Sequence, residues 1–406
     1  MTTVTGRPGF LQSATGGLPR PFWVLFAGTL VNRLGTMVEP FIGIYLTQAR
    51  GMSLAAAGLV MTVFGVGSLL SQPFAGWLAD HFGRRVTLSG SMIATAVTFI
   101  ALGYTTSLHG ITAAMLVLGL VVDAYRPASQ ALVADLVSPE DRPRAFGLLF
   151  WAVNLGFSIA MIAGGWLAQT GFTTLFWIDA VTCLIFGVLV WRAIPETRPD
   201  RSEDTPGRFA DVLRDRVMVT YVVISLTFTF VYLQAYTTLP LAMTGEGLPT
   251  SAYGMAMAVN GALIVVVQPL TNRWMSRRDP SAVLAAGFAV VGLGLALTAV
   301  VSSTLGYAVT VAVWTLGEVV TAGVAGSIVA SLAPAHLRGR YSGLYGLAWS
   351  AGGMLAPLIG TRLLAVSSTL LWLVIGGLGL LAAVGQLALG PAIRRRSRTQ
   401  ETAPAG

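Results

Sequence analysis

A chain of 406 residues that is 54% hydrophobic, only 10% charged and has a mean hydropathy of +0.73 does not have the composition of a soluble globular domain. Its formal charge of +8 suggests nucleic acid only until the arginines are mapped. No G-x-x-x-x-G-K-[ST] stretch encodes ATP-driven pumping, no His/Cys cluster suggests a metal, and one cysteine, Cys183, excludes a disulfide framework.

Twelve apolar runs follow one another, at roughly 21–48, 54–79, 86–106, 111–135, 145–169, 172–192, 217–241, 251–275, 281–303, 305–333, 341–363 and 369–390. Each is at or above the ~18 residues that read as a membrane-spanning helix. The breaks between them leave no room for a soluble domain. The expected fold is therefore an all-α membrane protein of twelve transmembrane helices. The first run is too long for a cleaved signal peptide and no A-x-A site follows it. His81, His109 and His336 are expected in the loops, and Cys183 in the packing of the sixth run.

All 25 basic residues are arginine. Arg33 and Arg126 lie inside apolar runs and Arg50 and Arg362 fall on one side; every other arginine falls on the opposite side. Positive residues stay cytoplasmic, so both termini are expected inside a multi-pass protein of the inner (plasma) membrane. The basic pI then reflects topology, with some attraction to anionic lipid, and not a nucleic-acid partner. The expected partners are the bilayer and a small-molecule substrate, for a protein acting as a monomer.

The sequence matches itself at an offset of 196 residues. Gly58, Met61, Gly65 and Gln72-Pro73 meet Gly254, Met257, Gly261 and Gln268-Pro269. Arg142, Arg144, Gly147-Leu148, Gly156 and Gly164 meet Arg338, Arg340, Gly343-Leu344, Gly352 and Gly360. This predicts a parallel duplication: a six-helix bundle over 1–193, a polar linker over 194–216 and a second bundle with a short basic tail over 217–406. Such repeats are a transporter architecture, with a midplane site between the halves and alternating access by rocking.

The stretch GWLADHFGRR, residues 76–85, follows the second run. Gly76 and Gly83 suit close helix approach and a tight turn. Asp80 is placed to accept hydrogen bonds from the start of the next helix and to pair with Arg84. The stretch resembles the signature G-x-L-A-D-x-x-G-R-R of the major facilitator superfamily, and the resemblance covers nearly the whole chain. It implies a cytoplasmic gate in which Asp80, Arg84 and Asp135 latch the outward-open state, with Arg85 beside them. Loop charges of the ordinary positive-inside kind are the bland alternative. The second half lacks the motif: Asn272 and Ser276 stand for Gly76 and Asp80.

LVNRLGTMVEPFIGIYL (30–46) and residues 315–360 resemble bacterial drug-efflux members of that superfamily. Two positions depart from them. Met115 stands where the efflux group has an Arg four residues before Gly119, and helix five reads GFSIAMIAGG (156–165), without the Gly-Pro of the antiporter signature.

GLVVDAYRPAS (119–129) places Asp123 and Arg126 inside an apolar run, where charges are costly. Across the 196 offset Asp123 meets Val319, Arg126 meets Ala322, Arg33 meets Thr229, Glu39 meets Ala235 and Glu318 meets Val122. Charges that only hold the scaffold would be expected in both halves, so these unduplicated ones point to function. At ~1.5 Å per residue Asp123 and Glu318 lie some 18–20 Å into their helices, near the midplane. The resemblance implies that helices one, four, seven and ten line the cavity.

Two readings stand for Arg33, Asp123 and Arg126: a permanent network that neutralises Glu39 and Asp123, or part of the transport site. Glu318 has no evident cation in its own half. Burial in low dielectric favours the neutral form of such a carboxyl, which makes it the first choice for proton coupling, with Glu39 second and Asp123 third. The energy source is then a proton gradient, with no cofactor. Phe26, Tyr45, Tyr125, Tyr232, Gln234, Tyr236, Asn260, Trp314 and Trp349 are the candidate substrate lining, alongside Glu318. Aromatics with unpaired carboxylates suit amphipathic, often cationic molecules; interfacial aromatic belts are the alternative for any one of them. Asp179 is expected to anchor a helix end.

The expected function is proton-coupled export of small amphipathic compounds. A substrate/H⁺ symporter or facilitator for a metabolite is the second reading. A non-transporting receptor or scaffold is the third, weakened by the shortness of the linker and of the tail RRRSRTQETAPAG. None of these is an enzyme.

Overall fold

The computed structural model describes residues 17–196, 209–275, 278–321, 324–334 and 337–402. Every regular element among them is helical: α1 Arg20–Gly35, α2 Val38–Ile44 with a π-turn Tyr45–Ala49, α3 Leu54–Phe82, α4 Arg84–Tyr104, α5 Leu108–Val122, α6 Tyr125–Leu136, α7 Arg142–Thr170 and α8 Thr173–Ala193. A short α9, Phe209–Leu213, precedes α10 Arg216–Tyr232, α11 Gln234–Thr237, α12 Leu239–Gly245, α13 Thr250–Met275, α14 Pro280–Ala296 with a 3₁₀ turn Leu297–Val300, α15 Thr304–Thr321, α16 Val324–Leu332, α17 Arg338–Val366 and α18 Ser368–Thr402.

Ten helical stretches among the described residues are long and apolar enough to cross a membrane. Arg20–Ala49 and Arg338–Val366 are not among them. The first carries Arg20, Arg33 and Glu39; the second is diluted by glycine, serine, tyrosine and two arginines at its start. Both still pack between spanning helices, α1 on α7 and α8 and α17 on α3 and α10.

Side chains set most boundaries. Ser53, Ser107, Asp215 and Asp279 cap α3, α5, α10 and α14 by accepting backbone amides of their first turns. Gly83, at φ +98, turns the chain from α3 into α4. Proline explains two breaks at membrane depth. It cannot donate to the carbonyl four residues back and its ring crowds it. Pro40 therefore interrupts the first run at Thr36, and Pro127 interrupts the fourth at Asp123. Each break therefore falls one turn ahead of its proline.

Helix bounds recur at the 196-residue offset. Arg20 and Ala49 correspond to Arg216 and Gly245, Leu54 to Thr250, Arg84–Tyr104 to Pro280–Val300, Leu108–Leu136 to Thr304–Leu332, and Arg142–Thr170 to Arg338–Val366. Packing follows the same symmetry: α3 lies against α17, and α7 against α13. One face of the molecule collects the starts of α1, α4, α7, α10, α14 and α17, with their arginines; it is the basic face, and the opposite one is the far face.

The two crossing pairs touch at backbone distance from the far face to mid-depth. A methyl group added to Gly58 would fall 2.8 Å from the Pro357 carbonyl, and one at Gly65 would fall 2.7 Å from Met354 Cα. At Gly254 it would fall 2.3 Å from the Met161 carbonyl, and at Gly261 2.7 Å from that of Asn154. Phe41 seals the same end, edge-on to Tyr253 at 5.4 Å. Toward the basic face the helices diverge: Gly147, Gly343 and Gly346 have nothing within 4 Å of an added methyl. The molecule is closed at the far face and open at the basic face.

The tail is more than a short basic extension. α18 continues to Thr402, where Arg394 pairs with Asp279 and Arg396 pairs with Asp215 at 2.6 Å. The Tyr341 hydroxyl donates to the same Asp215 oxygen at 2.6 Å. Burial pushes the Asp215 carboxyl up, but the Tyr341 hydroxyl, the Met218 amide and Arg396 outweigh it and hold it below the usual carboxylate range. A depressed folded value stabilises above the unfolded one and is lost as pH falls through the folded one. The expected result is a tail resistant to protease from pH 5 to 8 and released below about pH 4. Limited proteolysis across that range checks it, with Arg396→Ala releasing the tail at every pH.

Candidate functional site

Where the helices diverge they enclose a cavity of about 720 Å³, within the ~300–1,000 Å³ typical of small-molecule sites. Its walls differ in chemistry. One wall comes from α1, α2, α3, α5, α6 and α7 and carries Arg33, Glu39, Asp123 and Arg126. The other comes from α10, α11, α13, α15 and α17 and carries Tyr232, Tyr236, Asn260, Glu318 and Trp349.

On the first wall the helix breaks place the charges. Asp123 sits in the turn between α5 and α6, and Arg126 one turn on pairs with it at 2.9 Å, its side chain 55% exposed to the cavity. Arg33 does not join that pair. It donates to the Tyr125 hydroxyl and lies 5.7 Å from that ring's centroid. Glu39, in the first turn of α2, takes part in no hydrogen bond or ion pair among the described residues and faces the cavity. The network expected to neutralise both carboxylates closes on Asp123 alone.

The second wall is built around Glu318. Tyr232 donates to its Oε1 at 2.7 Å and Asn260 donates to its Oε2 at 2.6 Å. Asn260 also reaches Thr315 at 3.0 Å, and the Tyr232 and Tyr236 hydroxyls lie 3.1 Å apart. Trp314 and Trp349 stand edge-on to Tyr232 at 6.0 and 5.9 Å. No cation pairs with Glu318 among the described residues, so neutral donors alone balance its charge.

Five expected lining residues stay out of the cavity. Phe26 packs on Phe22 and Trp23. Gln234 is fully buried and ties α11 to α17 through the Ala356 carbonyl at 3.3 Å. Trp314 is fully buried behind Tyr232. Tyr45 also turns away, onto Phe172 and Phe176, and Tyr125 stands behind Arg33. Each lies on a cavity helix but on its packed side.

At the basic face, Arg84 forms an ion pair with Asp135 and donates to the Ala131 carbonyl at 3.1 Å, fastening α4 to the end of α6. Gly76 and Asp80 fall in α3, but their side-chain surroundings lie outside the described residues. The amides that open α4 are taken by a residue the sequence does not single out: Glu196 accepts from Arg85 at 2.9 Å and Val86 at 3.2 Å. A methyl group at Gly83 would fall 2.3 Å from Glu196 Oε1, so the turn needs glycine twice over. Arg85 stacks over Trp191 at 4.9 Å. The Arg84–Asp135 contact forms while the cavity is open at this face, so it does not by itself demand the opposite state. Glu196→Ala is expected to lower stability by about 1 kcal/mol through the lost cap, readable as a lower thermal midpoint with the bulk helix content unchanged.

His81 ends α3, and His109 opens α5; both were expected in loops, and His336 lies outside the described residues. Asp179, expected as a helix-end anchor, anchors the start of α2, in the middle of the first run: its two oxygens accept the amides of Met37 and Val38 at 2.9 Å each. The signal was present, since Asp179 meets Ile375 across the repeat and is as unduplicated as the cavity charges.

A multi-pass helical chain with repeat-related halves of its sequence around a charged, one-side-open cavity is a membrane transporter. It belongs to the Major Facilitator Superfamily, whose family model matches residues 25–357. Over 374 residues it is 25% identical to the multidrug resistance protein MdtH of Escherichia coli O1:K1 / APEC, covering 88% of this chain and 91% of that one. Over 362 residues it is 24% identical to a Na(+), Li(+), K(+)/H(+) antiporter of Planococcus maritimus, covering 79% and 84%. Its fold is that of a crystallised POT family transporter in complex with a thioalcohol-conjugated peptide, at a TM-score of 0.81, 15% identity and coverage of 94% and 98%.

Proposed function

We propose that the protein is a secondary transporter that exports small amphipathic compounds in exchange for protons, by alternating access. Twelve spans form two six-helix bundles, 1–193 and 217–406, joined by 194–216, in the inner membrane. Both termini are cytoplasmic, so the basic face is the cytoplasmic one and the conformation described is inward-open. The chain works as a monomer and uses no cofactor.

The observation that carries this reading is Glu318: a carboxyl at membrane depth, facing the cavity, held by Tyr232 and Asn260 and, among the described residues, by no cation. Such a group exchanges a proton for a bound cationic or polar group at low cost. Glu39 and Asp123 are the next coupling candidates. Tyr232, Tyr236 and Trp349 offer aromatic faces to an amphipathic cation. Arg33 and Arg126 hold the opposite wall, and the 76–85 turn with Asp135 forms the cytoplasmic gate.

The test is proton movement in proteoliposomes loaded with a pH dye, on addition of ethidium or tetraphenylphosphonium. Wild type is expected to move protons opposite to the probe, and Glu318→Gln to move none. Probe flux without proton flux in wild type would replace the exchanger by a facilitator. Proton flux in the same direction as the probe would make it a symporter.

A further inference from the structure

Behind the cavity lies a second chamber, of about 20 Å³, enough for one water molecule. It is lined by α1, α2, α4, the end of α5, α6 and α8 and shares Arg33, Thr36, Glu39, Asp123 and Arg126 with the cavity. Asp179, 2% exposed, stands on its inner side. The break at Thr36 leaves the first amides of α2 without helical partners, and at membrane depth no solvent can satisfy them. The two Asp179 oxygens do so, at Met37 and Val38. The charged residues on either side of that break, Arg33 and Glu39, both line the cavity.

The chamber itself is incompletely bonded. Asn32, 7% exposed, spends its amide on the Cys183 sulfur at 3.2 Å, and its carbonyl oxygen has no donor among the described residues. Arg33 has a buried Nε with no acceptor among the described residues. The hydroxyls of Thr36 and Thr182 donate to their own helix backbones at 3.1 and 3.0 Å, leaving lone pairs toward the space they line. One unpaired donor and several unpaired acceptors around a water-sized void are the surroundings of an ordered water.

We propose that Asp179 is the positioning residue of the broken helix, and that one ordered water in the chamber links it to Glu39, so that a change at Glu39 is felt at the break that aims Arg33. The ionisable groups around that water are Glu39, Asp123 and Asp179, Arg33 and Arg126, with Tyr125 and Cys183 completing the wall. The inference goes beyond the exchange reading and does not use Glu318.

Amide hydrogen exchange on the full chain in detergent, at one pH, tests it without transport. Asp179→Asn is expected to speed exchange at Met37 and Val38 at least tenfold, leaving peptides of α7 and α13 unchanged. Glu39→Gln, which touches neither amide, is expected to speed the same two amides several-fold, and Asp179→Glu to restore part of the protection. Glu318→Gln should leave them as in wild type. Unchanged exchange at both amides in Glu39→Gln would reduce Asp179 to a plain cap and overturn the link; unchanged exchange in Asp179→Asn would overturn its role altogether. If Asp179→Asn does not fold, Thr182→Val, which keeps shape and removes one lining hydroxyl, is expected to act like Glu39→Gln, and its silence would count against the water.

Discussion

Gly254→Val is expected to hold the protein open at the far face and to stop transport. In the conformation described, Gly254 lies against the Met161 carbonyl and Gly165 Cα, so that even one added carbon would stand 2.3 and 3.1 Å from them. Both neighbours are backbone and cannot rotate away. Overpacking of this kind costs about 1–3 kcal/mol, a factor of roughly 5 to 150 in the balance between conformations. The conformation that separates α7 from α13 escapes that cost. The same argument applies across the repeat at Gly65, against Met354. A control lies within one set of helices: a methyl group added to Gly292 would fall 2.9 Å from Gly379 Cα, between α14 and α18. There, Gly292→Ala should lower the thermal midpoint without changing which face is open. The measurement is labelling of Thr237→Cys, a cavity-lining position, by an impermeant maleimide added to either face of oriented vesicles in a Cys183→Ser background. Wild type should react from the basic face and the Gly254→Val variant from the far face. Labelling from the basic face in both would mean that the glycine seam is not what closes the far side.

The sequence was most legible where it repeats. The 196-residue offset, found in a few glycines and arginines, anticipates helix bounds that agree to the residue at Arg142 and Arg338 and at Leu108 and Thr304. The same offset singled out Glu318, Glu39, Asp123, Arg33 and Arg126, and all five face one cavity. What stayed hidden was rotation and partnership. A helix in a bundle has a lipid side, a packed side and a cavity side, and aromatic residues suit all three. Phe26, Trp314 and Gln234 were therefore placed on the right helices and the wrong sides. Partners separated by long stretches of chain have no periodicity to betray them. Glu196 reaches back 111 residues to Arg85, and Arg33 chooses the Tyr125 hydroxyl over Asp123 because the Pro127 break turns Asp123 toward Arg126 instead. Asp179 is the instructive omission, since the repeat test that flagged the other charges flags it too.

The asymmetry of the two walls decides the second large effect. Asp123 and Arg126 neutralise each other, whereas Glu318 is balanced, among the described residues, only by neutral donors, so in the proposed exchange it is the carboxyl for which gaining a proton and gaining a cationic substrate are closest alternatives. In the proposed exchange, coupling through one such group fixes the gradient the protein can sustain. One pH unit is worth 1.36 kcal/mol, or tenfold in concentration. In proteoliposomes held at zero membrane potential, wild type is expected to build an ethidium ratio that rises about tenfold per pH unit for each proton exchanged. Glu318→Gln fixes the neutral state and should relax to a ratio of one at every imposed pH difference, while still equilibrating the probe across the membrane. Tyr232→Phe removes one donor and an edge of the aromatic wall but leaves the carboxyl, so it should raise the KM for ethidium and keep the wild-type slope. A steep slope in Glu318→Gln would move the coupling to the other wall, where Glu39 is the cavity-facing carboxyl without an ion pair among the described residues, and Glu39→Gln would then be the variant that flattens it.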